Sequence, residues 1–133
     1  MKVKKKEFKT YKLDAGIFDV TAYAVISEDL DRVAEFVAFK HDQGDTKELK
    51  EGLESARGMF FHHPTYCPIV WLPSKPKTPR EIATMSHELA HLTSWVCRWA
   101  HIEHCEKTEE TFCHLLSHLT NQLLEKLNLH NNK

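Results

Sequence analysis

The sequence predicts an α+β fold in which a small β-sheet of two to four strands packs on three helices. Three observations predict this class: a stretch of period-two alternation early in the chain, two short apolar runs near its middle, and two long amphipathic helical patterns at its end. A chain of 133 residues that is 41% hydrophobic and 28% charged can bury one core. We therefore expect a single domain over residues 1–133, with residues 1–12 as a candidate frayed terminus.

The first half of the chain predicts one strand and one helix. Apolar and polar side chains alternate over residues 18–26, which is typical of a half-buried strand. Ser27 then offers a helix-capping oxygen, and apolar residues recur at helical spacing up to about His41. Residues 43–58 are polar and predict at most a short helix over residues 48–56.

Two short apolar runs, Met59–Phe61 and Ile69–Leu72, predict strands that are joined by a loop. Pro68 and Pro73 bracket the second run. A proline is tolerated at a strand end where no neighbouring strand needs its missing N–H, so we predict that Ile69–Leu72 is an edge strand. An edge strand can bind an extended peptide.

Two longer helices are predicted in the second half of the chain. Thr78 can cap a helix, Pro79 suits the first helical position, and Glu81 completes a capping box. The apolar stripe of this helix consists of Ile82, Met85, Leu89, Leu92, Val96 and Trp99. The last helix follows Thr108 and has a stripe of Phe112, Leu115, Leu116, Leu119, Leu123 and Leu127. On its opposite side lie Glu110, His114 and Ser117.

Charge and composition disfavour several classes of protein. Lys and Arg total 18 against 19 Asp and Glu, a net charge of -1, which disfavours a dedicated nucleic-acid binder although residues 1–12 carry six lysines. No apolar run approaches the roughly 20 residues of a membrane span. We expect no export signal, because Asp14, Gly16 and Asp19 interrupt the start of the chain. The four cysteines are then expected to be reduced thiols of a cytoplasmic protein.

Histidine is the residue type in excess, with ten copies, and two of them belong to a His-Glu-x-x-His pattern formed by His87, Glu88 and His91. Residues four apart on a helix lie one turn above each other, so both imidazoles can bind a single Zn²⁺. Glu88 projects to the side, where it can reach a metal-bound water and act as a general base. The sequence therefore predicts a zinc site on the helix that begins at Pro79.

A catalytic zinc site usually takes three protein ligands and leaves the fourth position open. The candidates for the third ligand are Glu103, Glu106, Glu109, Glu110, Cys113 and His114. We select Glu110, because eighteen residues separate it from His91, enough to end one helix, turn, and bring the last helix back across it.

Residues 69–119 resemble the gluzincin-type zinc metallopeptidases, in particular the small phage and prophage proteins with a compact catalytic domain. The resemblance is carried by the apolar run and the proline after it, by residues 76–91 ending in His-Glu-Leu-Ala-His, and by residues 109–112. It implies a zincin-like minimal domain with an edge strand above the metal helix. It also implies the roles of the site residues: Zn²⁺ ligands His87, His91 and Glu110, and catalytic base Glu88.

Two positions depart from the thermolysin type of gluzincin, which has Asn before the ligand Glu and Asp four residues after it. This chain has Glu109 and His114 at those positions. The Asp orients a zinc-binding histidine, and losing such a contact typically costs about 10–100-fold in affinity or activity. We assign His114 a catalytic role in its place, either as that acceptor or as a donor to the transition state.

The expected function is hydrolysis of peptide bonds by a metal-activated water, on a peptide or protein substrate whose backbone lies along the edge strand. The alternative is a non-catalytic binding protein, such as a phage-encoded modulator of a host factor, in which zinc braces two helices. Nucleic-acid binding through the lysine-rich start is the last-ranked alternative, and it would weaken steeply with salt.

Three further groups of residues have alternative interpretations. A second, structural zinc could be held by Cys97, His101, His104 and Cys105, or these could be ordinary free thiols and surface histidines. Residues of the loop before Ile69 could line a substrate cleft or simply lie at the surface, namely His62, His63 and Tyr66. The three tryptophans are predicted in the core, namely Trp71, Trp95 and Trp99.

Overall fold

The computed structural model describes residues 6–42, 44–62 and 68–128. Its strands are β1 (Phe8–Asp14), β2 (Thr21–Ser27), β3 (Met59–Phe61) and β4 (Ile69–Leu72). Its helices are α1 (Leu30–His41), α2 (Thr46–Glu54), α3 (Pro79–Trp99) and α4 (Glu109–Lys126). Two short 3-10 turns, Gly16–Phe18 and Glu106–Thr108, complete the order. A four-stranded mixed sheet packs on helices, which confirms the α+β class, and α2 is a fourth helix close to the short one predicted over residues 48–56.

The strand order in the sheet is β1-β2-β4-β3, with β2 and β4 parallel and the other two pairs antiparallel. The prediction that Ile69–Leu72 is an edge strand is therefore wrong, because β4 pairs on both sides and its four residues are all buried. Pro68 does not prevent this, since it contributes its carbonyl oxygen, which accepts the Tyr23 N–H at 3.0 Å. The edge strand on this side of the sheet is β3.

The other edge of the sheet is β1, which begins inside the segment for which fraying was predicted. Phe8–Asp14 pair with β2 along their whole length, so residues 8–12 are not frayed. Most side chains of β1 are exposed or half-buried, and only Leu13 is fully buried, so the sequence carries little period-two signal there. β2 begins at Thr21 instead of Phe18, because residues 16–18 form a 3-10 turn that ends in a left-handed Asp19 at φ 51°.

The core lies on both faces of the sheet. On one face, Val70 and Leu72 of β4 pack with the buried stripes of α3 and α4. On the other face, Ile69 and Trp71 pack with buried residues of α1 and α2. Because successive strand residues point to opposite faces, β4 contributes two residues to each layer. The Trp71 indole N–H donates to the carbonyl of Ser27 at 2.8 Å, which satisfies this buried polar group.

The helix starts follow the predicted capping chemistry, with one correction. In α3, Thr78 Oγ1 accepts the Glu81 N–H and Glu81 Oε1 accepts the Thr78 N–H, which confirms the capping box. In α1 the N-cap is Asp29, whose carboxylate accepts the Arg32 N–H, and the prediction of Ser27 is wrong. The hydroxyl of Ser27 instead accepts the N–H of Asp29, the N-cap residue itself.

Helix α3 positions the candidate site, and its middle is buried as predicted. Met85, Leu89, Leu92 and Val96 are at most 1% exposed. The two ends of the predicted stripe are only partly covered, since Ile82 is 45% and Trp99 49% exposed. Trp71 and Trp95 are buried as predicted, whereas Trp99 is not.

Candidate metal centre

The two histidines of the His-Glu-x-x-His pattern lie one turn apart on the exposed face of α3. The Nε2 atoms of His87 and His91 are 3.1 Å apart, and the imidazole rings meet edge to face with centroids separated by 4.7 Å. Both side chains are exposed, on the side of the helix away from the Leu89 and Val96 stripe. The helix alone therefore brings these two nitrogens together, as the sequence predicts.

The separation of these nitrogens fits a shared zinc ion. Two nitrogen ligands at about 2.0–2.1 Å from a tetrahedral Zn²⁺ lie about 3.3–3.4 Å from each other. The observed 3.1 Å is close to that value, and it also fits a hydrogen bond between one protonated and one unprotonated Nε2. Among the described residues, one group can hold a metal ion with its ligand atoms within 4.8 Å of one another, and it consists of His87, Glu88 and His91.

The carboxylate of Glu88 is the buried member of this group. Its side chain is 7% exposed, while the two histidines beside it are exposed. Burial raises the pKa of Glu88, and the neighbouring His87 and His91 act in the opposite direction. Gly58, just before β3, lies directly against it, because a Cβ built at Gly58 would be 3.3 Å from Glu88 Cγ. Sequence reasoning missed this contact, since nothing local marks Gly58 as a neighbour of α3.

Glu110 does not join the histidines in this structure. Its Oε2 lies 3.3 Å from His114 Nε2 within α4, and the two side chains are 85% and 82% exposed. Both point away from the apolar stripe of α4, as the helical pattern predicts. The structure therefore assembles two of the three predicted ligands, together with Glu88. The other candidates for the third ligand are also outside the group, at least in the part of the chain that the structure describes.

The edge strand β3 runs beside α3 at the level of the histidines. The ring of Phe60 stacks on His91, with centroids 6.1 Å apart and planes 12° apart, and on His62 at 5.7 Å. Going along β3, Gly58 lies next to Glu88, Phe60 next to His91, and His62 lines a cavity with Trp95. Edge strand β3 and helix α3 therefore run side by side at the histidines, and we call the exposed surface along this contact the cleft.

Two cavities flank the histidines along this cleft. The first has about 500 Å³ and is lined in part by Arg57, Arg80, His87 and Glu88. The second, of about 560 Å³, lies toward the end of α3 and is lined by His62, Trp95, Arg98, Trp99 and His101. His62 lines this second cavity, and its role toward a substrate stays a prediction. The positions of His63 and Tyr66, which were predicted with it, lie outside the described residues.

The second predicted cluster does not assemble as a metal site. No metal-binding group contains Cys97, His101, His104 or Cys105 within the described residues. Cys97 is buried in the core, and burial raises the pKa of its thiol. His104 instead stacks on Phe112 with centroids 4.6 Å apart. Cys105 is exposed, and a side-chain hydrogen bond with Thr108 is the main cause that lowers the pKa of its thiol. These residues match the alternative of free thiols and surface histidines.

Comparisons of the chain with known proteins found no match. No protein-family model matches the sequence, and neither the curated proteins nor the solved structures yielded a match. The resemblance to gluzincins therefore stays a prediction from the motif residues. No helix in the described part of the chain has both the length and the apolar character needed to cross a membrane.

Proposed function

We propose that the protein is a zinc-dependent peptidase in which His87 and His91 bind the metal and Glu88 is the general base. The observation that supports this most is the pair of Nε2 atoms 3.1 Å apart, with a buried carboxylate at the intervening position. Two surface histidines on a helix need no buried neighbouring acid, whereas a hydrolytic metal site does.

Glu110 is our proposed third ligand, and it would have to turn away from His114 to reach the metal. The two side chains are highly exposed, and contacts of this kind contribute little to stability. The contact with His114 therefore opposes this movement of Glu110 only weakly. His114 keeps its proposed catalytic role, either as the acceptor that orients a zinc-binding histidine or as a donor to the transition state.

The chemistry at the site divides between the metal and Glu88. A bound Zn²⁺ supplies Lewis acidity, which lowers the pKa of water toward about 7 and polarises a carbonyl. Glu88 accepts the proton of the attacking water and later returns it to the leaving amine. The raised pKa of Glu88, caused by burial, suits this cycle, because a base whose pKa lies nearer the working pH can both take and return a proton.

The substrate backbone is proposed to lie along β3 instead of β4. Among the described residues β3 pairs only with β4, which leaves its other edge available to an extended peptide as far as those residues go. Phe60, in the middle of β3, stacks on His91, so a chain paired with this edge passes the metal ligands. Free thiols at Cys97, Cys105 and Cys113 fit a reducing compartment, and we propose the cytoplasm.

A matched pair of substitutions tests the function. Glu88→Gln keeps the size of the side chain and removes the base, so we expect it to retain zinc and to lose hydrolysis of a quenched-fluorescence peptide library. Glu125→Gln makes the same chemical change on the exposed side of α4 and serves as the control. Equal hydrolysis by the wild type and Glu88→Gln would contradict the proposal.

One observation favours the second candidate, a non-catalytic zinc-binding protein. Glu110 pairs with His114 and not with the histidines of α3, so the site lacks its predicted third ligand in this arrangement. If the protein only binds zinc, the zinc-loaded wild type would hydrolyse no peptide. Glu88→Gln would then differ from the wild type in neither zinc content nor hydrolysis. The same pair of variants therefore separates the two functions.

A further inference from the structure

The arginines are unevenly placed around the cleft. The chain contains four, and three of them line the cavities on either side of the histidines. Arg57 and Arg80 line the cavity that includes His87 and Glu88, and Arg98 lines the cavity beyond His91. The fourth, Arg32, lies far from the cleft over the ring of Phe8, at 4.4 Å from its centroid.

None of the three cleft arginines has an acidic partner among the residues that the structure describes. The contacts between acidic and basic side chains there join Lys50 to Asp31 and His114 to Glu110, and neither involves an arginine. Glu81 lines a neighbouring cavity together with Arg57 and Arg80, but its Oε1 accepts the N–H groups of Lys77 and Thr78. The guanidinium groups are therefore available to an anionic ligand.

Helix stability does not account for Arg80. It lies in the first turn of α3, directly after Pro79, where the positive end of the helix dipole disfavours a cation. Arg98 lies in the last turn, where the dipole favours a cation, so its position has a structural explanation as well. The argument for a ligand-binding role therefore depends mainly on Arg57 and Arg80.

The spacing between the arginines and the histidines along α3 indicates where the charged groups of a bound ligand would lie. Arg80 precedes His87 by seven residues and Arg98 follows His91 by seven, which is two helical turns in each case. A metal shared by both histidines lies midway between them, so each arginine is nine residues, or about 13.5 Å, from it along the helix axis. An extended chain covers that distance in about four residues. Charged groups of a bound peptide would thus meet the arginines about four positions from the residue at the metal.

We propose that the cleft between β3 and α3 takes an extended acidic peptide, with carboxylates about four positions to either side of the residue at the metal centre. This proposal rests on the proposed peptidase function and names its substrate class. A peptide is favoured over a nucleic acid because the open edge of β3 can pair with a peptide backbone, and because a net charge of -1 provides no general attraction for polyanions.

Peptide binding to the Glu88→Gln protein, loaded with zinc, tests the inference without cleavage. The probes are fluorescein-labelled twelve-residue peptides of Ala, Ser and Thr that carry Glu, Gln or Lys four positions to either side of the centre. Fluorescence anisotropy gives each Kd. We expect the Glu peptide to bind about fivefold or more tightly than the Gln peptide, from two or three exposed charge pairs, and the Lys peptide to bind most weakly.

The double variant Arg57→Glu with Arg80→Glu reverses the charge at both positions. It should invert the order of peptide affinities, so that the Lys peptide binds most tightly. Lys12→Glu makes the same charge change on β1, at the opposite edge of the sheet, and should leave the order unchanged. Circular dichroism checks folding. If the double variant does not fold, the single variants Arg57→Gln and Arg80→Gln are measured instead, and each should weaken Glu-peptide binding about twofold to fivefold.

Three results would overturn the inference. They are equal affinity for the Glu and Gln peptides, an order that Arg57 and Arg80 substitutions do not change, and tighter binding of the single-stranded oligonucleotide dT12 than of the Glu peptide. The failure of the peptidase function is a separate result. A wild-type protein that prefers the Glu peptide but hydrolyses none refutes the peptidase and supports the acidic specificity, whereas hydrolysis without charge preference refutes the specificity alone.

Discussion

Substitution of Gly58 tests the close approach of β3 to α3, on which the cleft depends. A Cβ at this position would lie 2.7 Å from Thr84 Cγ2, 3.2 Å from Leu72 Cδ2 and 3.3 Å from Glu88 Cγ. Carbon atoms pack best at about 3.5–4.0 Å, so Gly58→Ala must move the strand and the helix apart by roughly 1 Å at Thr84. Overpacking of this kind typically costs about 1–3 kcal/mol. We expect a loss of that size in the free energy of unfolding.

Urea unfolding of two glycine variants measures the effect. Gly52→Ala is the matched control, because its Cβ would meet only Met59 Cε, at an ordinary 3.7 Å. Gly52 lies within α2, so alanine there should stabilise the protein by about 0.5–1 kcal/mol.

The double variant Gly58→Ala with Thr84→Ser removes the Cγ2 methyl that the new Cβ meets first and keeps the hydroxyl, which donates to the Arg80 carbonyl. It should recover more than half of the loss in a double-mutant cycle. The reasoning is refuted if Gly58→Ala is as stable as the wild type, or if the two substitutions are simply additive.

Three further predictions address the fold and the thiols. The pKa of the Glu81 carboxyl group is lowered in the folded protein, so its contribution to stability is complete above about pH 4.5 and is lost as the pH falls through the folded pKa. In unfolding curves taken from pH 6 to pH 3, Glu81→Gln should lack this pH-dependent part of the free energy of unfolding. Trp71→Phe leaves the buried carbonyl of Ser27 without its donor, and should lower the free energy of unfolding by about 1–3 kcal/mol in urea, unless a partner replaces the indole N–H. Cys105 is exposed with a lowered pKa and Cys97 is buried with a raised one, so iodoacetamide should label Cys105 first; peptide mass spectrometry showing the reverse order would contradict the structure.

Features set by local sequence were the ones that could be predicted. The capping box at Thr78 and the apolar stripe from Met85 to Val96 depend on residues within one helix, and both are present. The juxtaposition of His87 and His91 is local in the same sense, because helical geometry fixes a four-residue spacing. This part of the candidate site therefore follows from the sequence alone.

Features set by the packing of distant segments could not be predicted as well. The prolines around β4 suggested an edge strand, although four consecutive apolar residues are also typical of a strand buried on both faces, which is what the structure has. β1 was missed because its lysines and threonine mask the alternation, and its pairing with β2 stabilises it instead. Strand order depends on contacts between segments far apart in the chain, and periodicity does not report them.

The third ligand depends on the same kind of long-range arrangement. The pattern of α4 correctly places Glu110 opposite the apolar stripe, but whether that side reaches the histidines depends on how α4 is rotated against α3. The close approach of Gly58 to Glu88 is likewise a contact between a loop and a helix. It has no local signal in the sequence, yet it forms part of the surroundings of the proposed base.

The central claim is that His87 and His91 together bind one zinc ion. The direct test is the zinc content of the purified protein, measured by elemental mass spectrometry after dialysis, for the wild type, His87→Ala and the control His104→Ala. His104 stacks on Phe112 and belongs to no metal-binding group of described residues. We predict about one zinc ion per chain in the wild type and the control, and much less in His87→Ala. A wild type without zinc, or His87→Ala with its zinc fully retained, would contradict the account.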